Sequence, residues 1–126
     1  MPSLKRLLTS ILNRSNVVQI LGSDQVHPTA TGWTPAYISV PGLGDYDIIH
    51  VRCALSGRID FLTFLRGSRA TNYSLTFSEA YYSGSTWTYN RMLVQVDWEN
   101  NRIGLSTLNG EKSNMAIQGI WGTNKR

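Results

Sequence analysis

The sequence predicts an all-β protein, an antiparallel β-sandwich of jelly-roll type, preceded by a short N-terminal amphipathic helix. From residue 17 onward, apolar and polar residues alternate with the period of two that is typical of strands. About eight such segments follow one another with short turns between them, as in sandwiches rather than βαβ folds. Before residue 16 the apolar spacing is that of a helix. We therefore divide the chain into a helix, residues 1–15, and a sandwich domain, residues 16–126.

The leader, residues 1–15, carries an apolar stripe at the i, i+3, i+4, i+7 and i+8 positions of one helix face. The stripe consists of Leu4, Leu7, Leu8, Ile11 and Leu12. A helix of about three turns is marginal alone in water, so the stripe must be buried against the β-domain or against copies of itself. We expect these five residues to form an oligomerisation contact.

The segment of residues 58–65 is apolar on both faces of the predicted strand. Ile59, Phe61 and Leu65 share one face, and Leu62 and Phe64 share the other. A strand with two apolar faces is either central in a sheet or part of a subunit contact.

A tight hairpin is predicted around residue 100. Asn100 and Asn101 suit the two central positions of a type I′ turn, which both require positive φ. This two-residue loop would place Glu99 opposite Arg102, so that opposite charges face each other beside the turn.

Composition argues against two classes of partner. The 126 residues carry a net charge of +4, and the Lys and Arg residues are scattered without a basic run, so no nucleic-acid partner is expected. No apolar stretch approaches the roughly 20 residues of a membrane span, so no membrane insertion is expected. Only 16% of the residues are charged. So few charges on a soluble β protein indicate that part of the surface meets a partner.

The sequence contains no evident catalytic or metal-binding constellation. Cys53 lies in an apolar strand, where a cysteine is typically a small buried hydrophobe. His50, three residues away along that strand, would point to the opposite face. With two histidines and one cysteine, nothing converges on a metal. We expect no catalytic residue, no metal and no cofactor, and therefore no enzyme.

Four aromatic residues surround the polar turn of residues 83–85 and form a candidate ligand-binding cluster. The cluster consists of Tyr81, Tyr82, Trp87 and Tyr89. Trp87 and Tyr89 have the opposite parity from the apolar positions 92–98 of the same strand, so without a bulge they point away from the core. Exposed aromatic rings recognise carbohydrate or protein. The alternatives are a bulge near residue 90 that turns both rings inward, or a subunit interface.

Four features together resemble one group of proteins. They are the helical start at residues 3–8, the strand of residues 85–91, a late hairpin, and the ending Ile117-Gln118-Gly119-Ile120-Trp121-Gly122 before a basic C-terminus. This layout resembles small virion proteins of tailed bacteriophages, such as tail-fibre tips, head or neck fibres and receptor-binding appendages. The resemblance implies a homotrimer whose leader helices pack along a threefold axis, with other virion proteins as partners.

Two functions therefore remain open. The expected one is a non-enzymatic virion structural protein, a trimeric fibre, appendage or capsid-decoration component that also contacts host-surface glycans. The alternative is a monomeric carbohydrate-binding β-sandwich module that uses Trp87, Tyr89 and Tyr82. The two functions differ in whether the leader packs against other copies of the chain.

Overall fold

The computed structural model describes residues 3–6, 8, 16–22, 24–67 and 72–126, and most of them lie in β-strands. This confirms the all-β class. The strands are β1 (Val18–Leu21), β2 (Ala30–Thr31), β3 (Ala36–Ser39), β4 (Tyr46–Leu55), β5 (Arg58–Leu65), β6 (Asn72–Ser83), β7 (Thr86–Asp97), β8 (Arg102–Asn109) and β9 (Met115–Lys125).

The strands form two sheets. The four-stranded sheet is antiparallel, in the order β1-β9-β4-β5. In the five-stranded sheet, β6, β7 and β8 are antiparallel neighbours. The free edge of β8 pairs with both β2 and β3, of which β2 runs parallel and β3 antiparallel to it. The chain therefore reverses its direction over residues 32–35, between β2 and β3, beside β8.

Both sheets contribute to one buried cluster. In β4 the alternation places Ile49, Val51, Cys53 and Leu55 fully inside, as their spacing predicts. Phe64 on β5 and the apolar positions 92, 94 and 96 of β7 belong to the same cluster. Each fully buried aliphatic or aromatic side chain contributes about 1.5–3 kcal/mol, so this shared cluster is the main source of stability.

Part of the leader is described. Residues 4–6 and 8 have helical backbone, and the amide of Arg6 donates a hydrogen bond to Ser3 Oγ at 3.2 Å. Leu4 is 71% exposed and Leu8 is 50% exposed, so the β-strands of the same chain do not bury these two positions. The other three residues of the predicted stripe, Leu7, Ile11 and Leu12, lie outside the described residues.

Strand β5 spans the predicted residues 58–65, but it is an edge strand rather than a central one. Its inner face packs Phe64 into the core. Its opposite face leaves Ile59, Phe61 and Leu65 at least half exposed. We call these three residues the outer row.

The β7–β8 turn differs from the predicted hairpin. Asp97, not Glu99, lies opposite Arg102, and residues 98–101 form a four-residue loop. Of the two asparagines, Asn101 has positive φ, at 50°. The predicted two-residue loop is wrong because the Asp97 carboxylate accepts hydrogen bonds from Asn100 and Arg102, and these bonds stabilise the longer loop.

Candidate binding surfaces

The first candidate surface lies at the turn between β6 and β7. Tyr82 is paired with Trp87 across the two strands, and their ring centroids are 5.4 Å apart. Tyr89 is two residues from Trp87 on β7 and faces the same way. All three rings are more than half exposed, and the β6–β7 ladder runs without a register shift. Trp87 and Tyr89 therefore point away from the core, as their parity predicts. We call Tyr82, Trp87 and Tyr89 the hairpin aromatic surface.

Tyr81 does not share this surface. It is paired with Thr88, and neighbouring residues of a strand point to opposite faces, so its ring lies on the other side of the sheet from Tyr82. Tyr81 is exposed there. The structure thus brings three of the four predicted ligand-binding residues to one face.

A second candidate surface is a groove of about 680 Å³ on the five-stranded sheet, a size typical of ligand sites. We call it the Trp33 groove. Tyr89 and Arg91 of β7 line it together with Trp33, which precedes β3 and is 66% exposed. Trp33 is not among the predicted site residues. Its signal in the sequence was a single large aromatic residue within an otherwise polar segment.

The backbone beside Trp33 is held by hydrogen bonds to β8. Gly32, with a φ of +90°, donates its amide to the carbonyl of Thr107 at 2.9 Å. The Ser106 hydroxyl donates to the carbonyl of Gly32. The guanidinium carbon of Arg91 lies 5.3 Å from the Trp33 ring centroid, within the range of a cation–π contact. The indole is therefore exposed but held in place.

Polar groups complete the lining of the groove. Ser78, Glu79, Asn90 and Asn109 lie around it. Asn90 is buried, and Glu79 is its partner across the β6–β7 ladder. The Glu79 Oε2 atom is buried without a donor among the described residues. Glu79 and Asn90 have the same parity as Tyr81 and Thr88, so their side chains point to the opposite face of the sheet. The polar side chains on the groove's own side are those of Ser78, Arg91 and Asn109.

A third surface is the outer face of the four-stranded sheet. The Phe61 ring of the outer row meets Trp121 of β9 edge-on, with centroids 5.6 Å apart. Val17 and His50 join these two residues around an apolar hollow of about 350 Å³. No charged side chain lines this hollow in the part of the chain that is described.

His50 is fixed by two threonines from the neighbouring strands. Its Nδ1 lies 3.2 Å from the Thr63 hydroxyl, and its Nε2 lies 2.9 Å from the Thr123 hydroxyl. Burial lowers the pKa of His50, because desolvation disfavours the imidazolium. The ring is therefore neutral at pH 7, and its bonds tie β4 to both β5 and β9.

The sulfur of Cys53 is not an activated nucleophile. The side chain is fully buried, and burial together with the Asp60 carboxylate raises the pKa of the thiol to about 12. Within the described ranges, no three His, Cys, Asp or Glu side chains are grouped to hold a metal ion. The described helical residues also include no segment long and apolar enough to cross a membrane.

No protein-family model, curated protein or solved structure matches this chain. Its function is therefore inferred from the fold and from the three surfaces above.

Proposed function

We propose that this chain is a non-enzymatic structural protein of a bacteriophage virion, which self-associates as a trimer into a fibre, an appendage or a capsid decoration. The observation that carries the self-association is the exposure of the leader leucines, whereas the virion assignment rests on the resemblance of the sequence to small virion proteins of tailed bacteriophages. Leu4 and Leu8 are four residues apart, so they lie on the same face of the helical segment. Both side chains are exposed to solvent in the monomer. Leucines at this spacing are stabilised when other helices cover them.

The leader forms, in this proposal, one helix over residues 1–15 whose stripe packs against two other copies. Burying one leucine side chain is worth about 1.5–3 kcal/mol. A stripe of five apolar residues in each of three chains can therefore hold a trimer together, even though one such helix alone is marginal.

The outer row supplies a second contact within the virion. It lies on the edge strand β5, which pairs with β4 on one side and with no other strand among the described residues, and it exposes Ile59, Phe61 and Leu65. Exposed apolar edges promote association unless something covers them. We assign this face to contacts with a neighbouring copy or with other virion proteins.

The arrangement of the two sheets completes the proposed architecture. Because β4, β7, β8 and β9 contribute side chains to one buried cluster, we infer that the sheets face each other as a jelly-roll-like sandwich. The hairpin aromatic surface then lies at one end of the domain, where it contacts host-surface glycans through its exposed rings.

The test of self-association is a leader variant. We expect Leu8→Asp to convert the trimer to a monomer, because three carboxylates would meet at the threefold axis. Light scattering after size-exclusion chromatography measures the mass, and circular dichroism reports the strand content, which should be unchanged. The control is Arg6→Asp, which changes an exposed leader residue outside the stripe and should keep the trimer. A Leu8→Asp protein that assembles like the unchanged chain would refute the leader contact.

The second candidate is a monomeric carbohydrate-binding module. It is favoured by the presence of exposed aromatic rings and the Trp33 groove on one face of the five-stranded sheet. A monomeric mass together with saccharide binding would select this function over the virion proposal.

A further inference from the structure

We propose that the Trp33 groove is a binding site for neutral oligosaccharides, with Trp33 as the ring on which a pyranose stacks. This inference rests on the glycan contact in the proposed function. It assigns the main contact to Trp33, a residue outside the hairpin aromatic surface.

The Trp33 side chain offers exposed aromatic surface for stacking. A pyranose ring has an apolar face of C–H groups and an edge of hydroxyls, so it suits an indole beside hydrogen-bonding groups. Arg91 occupies a position over the Trp33 ring, yet the side chain is still 66% exposed. Arg91 therefore leaves exposed surface of the indole on which a sugar ring can stack.

The backbone is held in place on both sides of Trp33. The Gly32 hydrogen bonds hold the backbone before Trp33. After Trp33, the Pro35 and Tyr37 side chains lie against Gly104 so closely that a Cβ at Gly104 would be 2.8–2.9 Å from them. Because the ring is already held in place, binding a ligand to it costs little conformational entropy. More of the free energy of the stacking contact is therefore available for affinity.

The charges of the groove indicate a neutral ligand. The charged side chain on the groove's side of the sheet is Arg91, because strand alternation turns Glu79 to the opposite face, together with Tyr81. Arg91 is already engaged with the Trp33 ring, and the other polar side chains on this side, Ser78 and Asn109, are uncharged. Sugar hydroxyls both donate and accept hydrogen bonds. They therefore fit a lining that offers a guanidinium, a serine hydroxyl and the Asn109 amide.

The length of the surface along β7 favours an oligosaccharide over a single sugar. Positions 87, 89 and 91 of β7 face the same way, so aromatic and cationic side chains extend over about 13 Å of strand. Tyr89 belongs to both the Trp33 groove and the hairpin aromatic surface. A chain of sugars stacked on Trp33 can therefore continue towards Tyr89.

The test compares two exposed tryptophans with an exposed tyrosine that lies outside both aromatic surfaces. The purified full chain, Trp33→Ala, Trp87→Ala and the control Tyr81→Ala are applied to a printed array of defined neutral and acidic oligosaccharides. The best-bound oligosaccharide is then titrated calorimetrically. We expect neutral oligosaccharides to bind, Trp33→Ala to weaken binding about tenfold or more, Trp87→Ala to weaken it less than Trp33→Ala does, and Tyr81→Ala to leave it unchanged. Trp33→Tyr should restore part of the affinity, because it keeps an aromatic platform.

Four results would overturn the inference, and they differ in what else they affect. Loss of binding in Trp87→Ala but not in Trp33→Ala moves the site to the hairpin aromatic surface and leaves the glycan contact intact. Selective binding of acidic oligosaccharides contradicts the neutral ligand. An array without any bound oligosaccharide removes the glycan contact altogether, while self-association is still decided by Leu8→Asp. A changed oligomer mass in Trp33→Ala would make Trp33 an interface residue.

Discussion

Asp97 shows how one buried carboxylate sets the geometry of a turn. Its side chain is 1% exposed, and one oxygen accepts a hydrogen bond of 2.7 Å from Arg102 Nε. Burial alone would raise the pKa of Asp97, but the hydrogen bonds from Asn100 and Arg102 outweigh it and lower the pKa below the ordinary value of 3.8. The carboxylate is therefore ionised in the folded chain and contributes to its stability.

We predict that Asp97→Asn lowers the free energy of unfolding by about 1–3 kcal/mol, since the amide cannot accept all of these hydrogen bonds. Arg102 is partly exposed, so it can rehydrate, and the loss stays below that of a fully buried pair. Urea denaturation at pH 7 measures the change. The control is Glu99→Gln, which should alter stability by less than about 0.5 kcal/mol, because Glu99 is exposed. A larger effect at Glu99 than at Asp97 would favour the two-residue loop instead.

The Asp97 carboxylate makes the free energy of unfolding decrease as the pH falls into the acid range. Because the folded pKa is lower than the unfolded one, the contribution of Asp97 is complete above pH 3.8 and is lost as the pH falls through the folded pKa. We expect the stability of Asp97→Asn to fall less steeply than that of the unchanged chain below about pH 4. If the free energy of unfolding decreased equally with pH in both proteins, this prediction would be wrong.

Strand β9 depends on two glycines that permit close packing. Gly119 has a φ of +151°, and a Cβ there would lie 2.7 Å from the Trp121 ring. At Gly122, a Cβ would lie 2.5 Å from Cδ2 and 2.7 Å from Cδ1 of the buried Tyr46 ring. The spacing of the glycines in residues 117–122 therefore has a packing reason, whatever protein class the ending resembles.

We predict that Gly122→Ala lowers the free energy of unfolding by about 1–3 kcal/mol, because the new methyl group overpacks the site beside Tyr46. The matched control is Gly22→Ala, where nothing lies within 4 Å of the added Cβ and φ is not positive. There the stability should stay the same or rise by up to about 1 kcal/mol. Thermal or urea unfolding of both variants measures the difference, and equal values would contradict the packing role of Gly122.

Elements with regular alternation could be predicted from the sequence, and those created by long-range pairing could not. The bounds of β5 match the predicted segment, residues 58–65, because its own residues carry the pattern. By contrast, β2 has two residues and exists because β8 supplies its hydrogen bonds. The β7–β8 loop length depended on the side-chain bonds of Asp97, which the asparagine pair did not reveal.

For the candidate sites, too, features local to one strand could be predicted and those that depend on long-range contacts could not. The parity of Trp87 and Tyr89 is local to one strand, so their outward direction could be predicted. Trp33 joins the groove because Gly32 is bonded to Thr107, which lies far away in sequence. Sequence periodicity carries no information on such a contact, and Trp33 was missed for that reason.

At the scale of the whole molecule, the described chain presents surfaces of different character. The leader leucines and the outer row are apolar and suit contacts with protein. The Trp33 groove and the hairpin aromatic surface mix rings with polar groups and suit a glycan. Because the outer row and the Trp33 groove lie on different sheets, one copy can be held in the proposed assembly while the face proposed to bind a glycan stays free.

The mass of the unchanged chain in solution tests self-association most directly. Sedimentation equilibrium over a range of micromolar concentrations determines it without reference to molecular shape. Three times the chain mass of 14.1 kDa, constant on dilution, is the value expected if leader stripes pack around a threefold axis. A value of 14.1 kDa at every concentration would contradict the proposal and leave a solitary saccharide-binding domain.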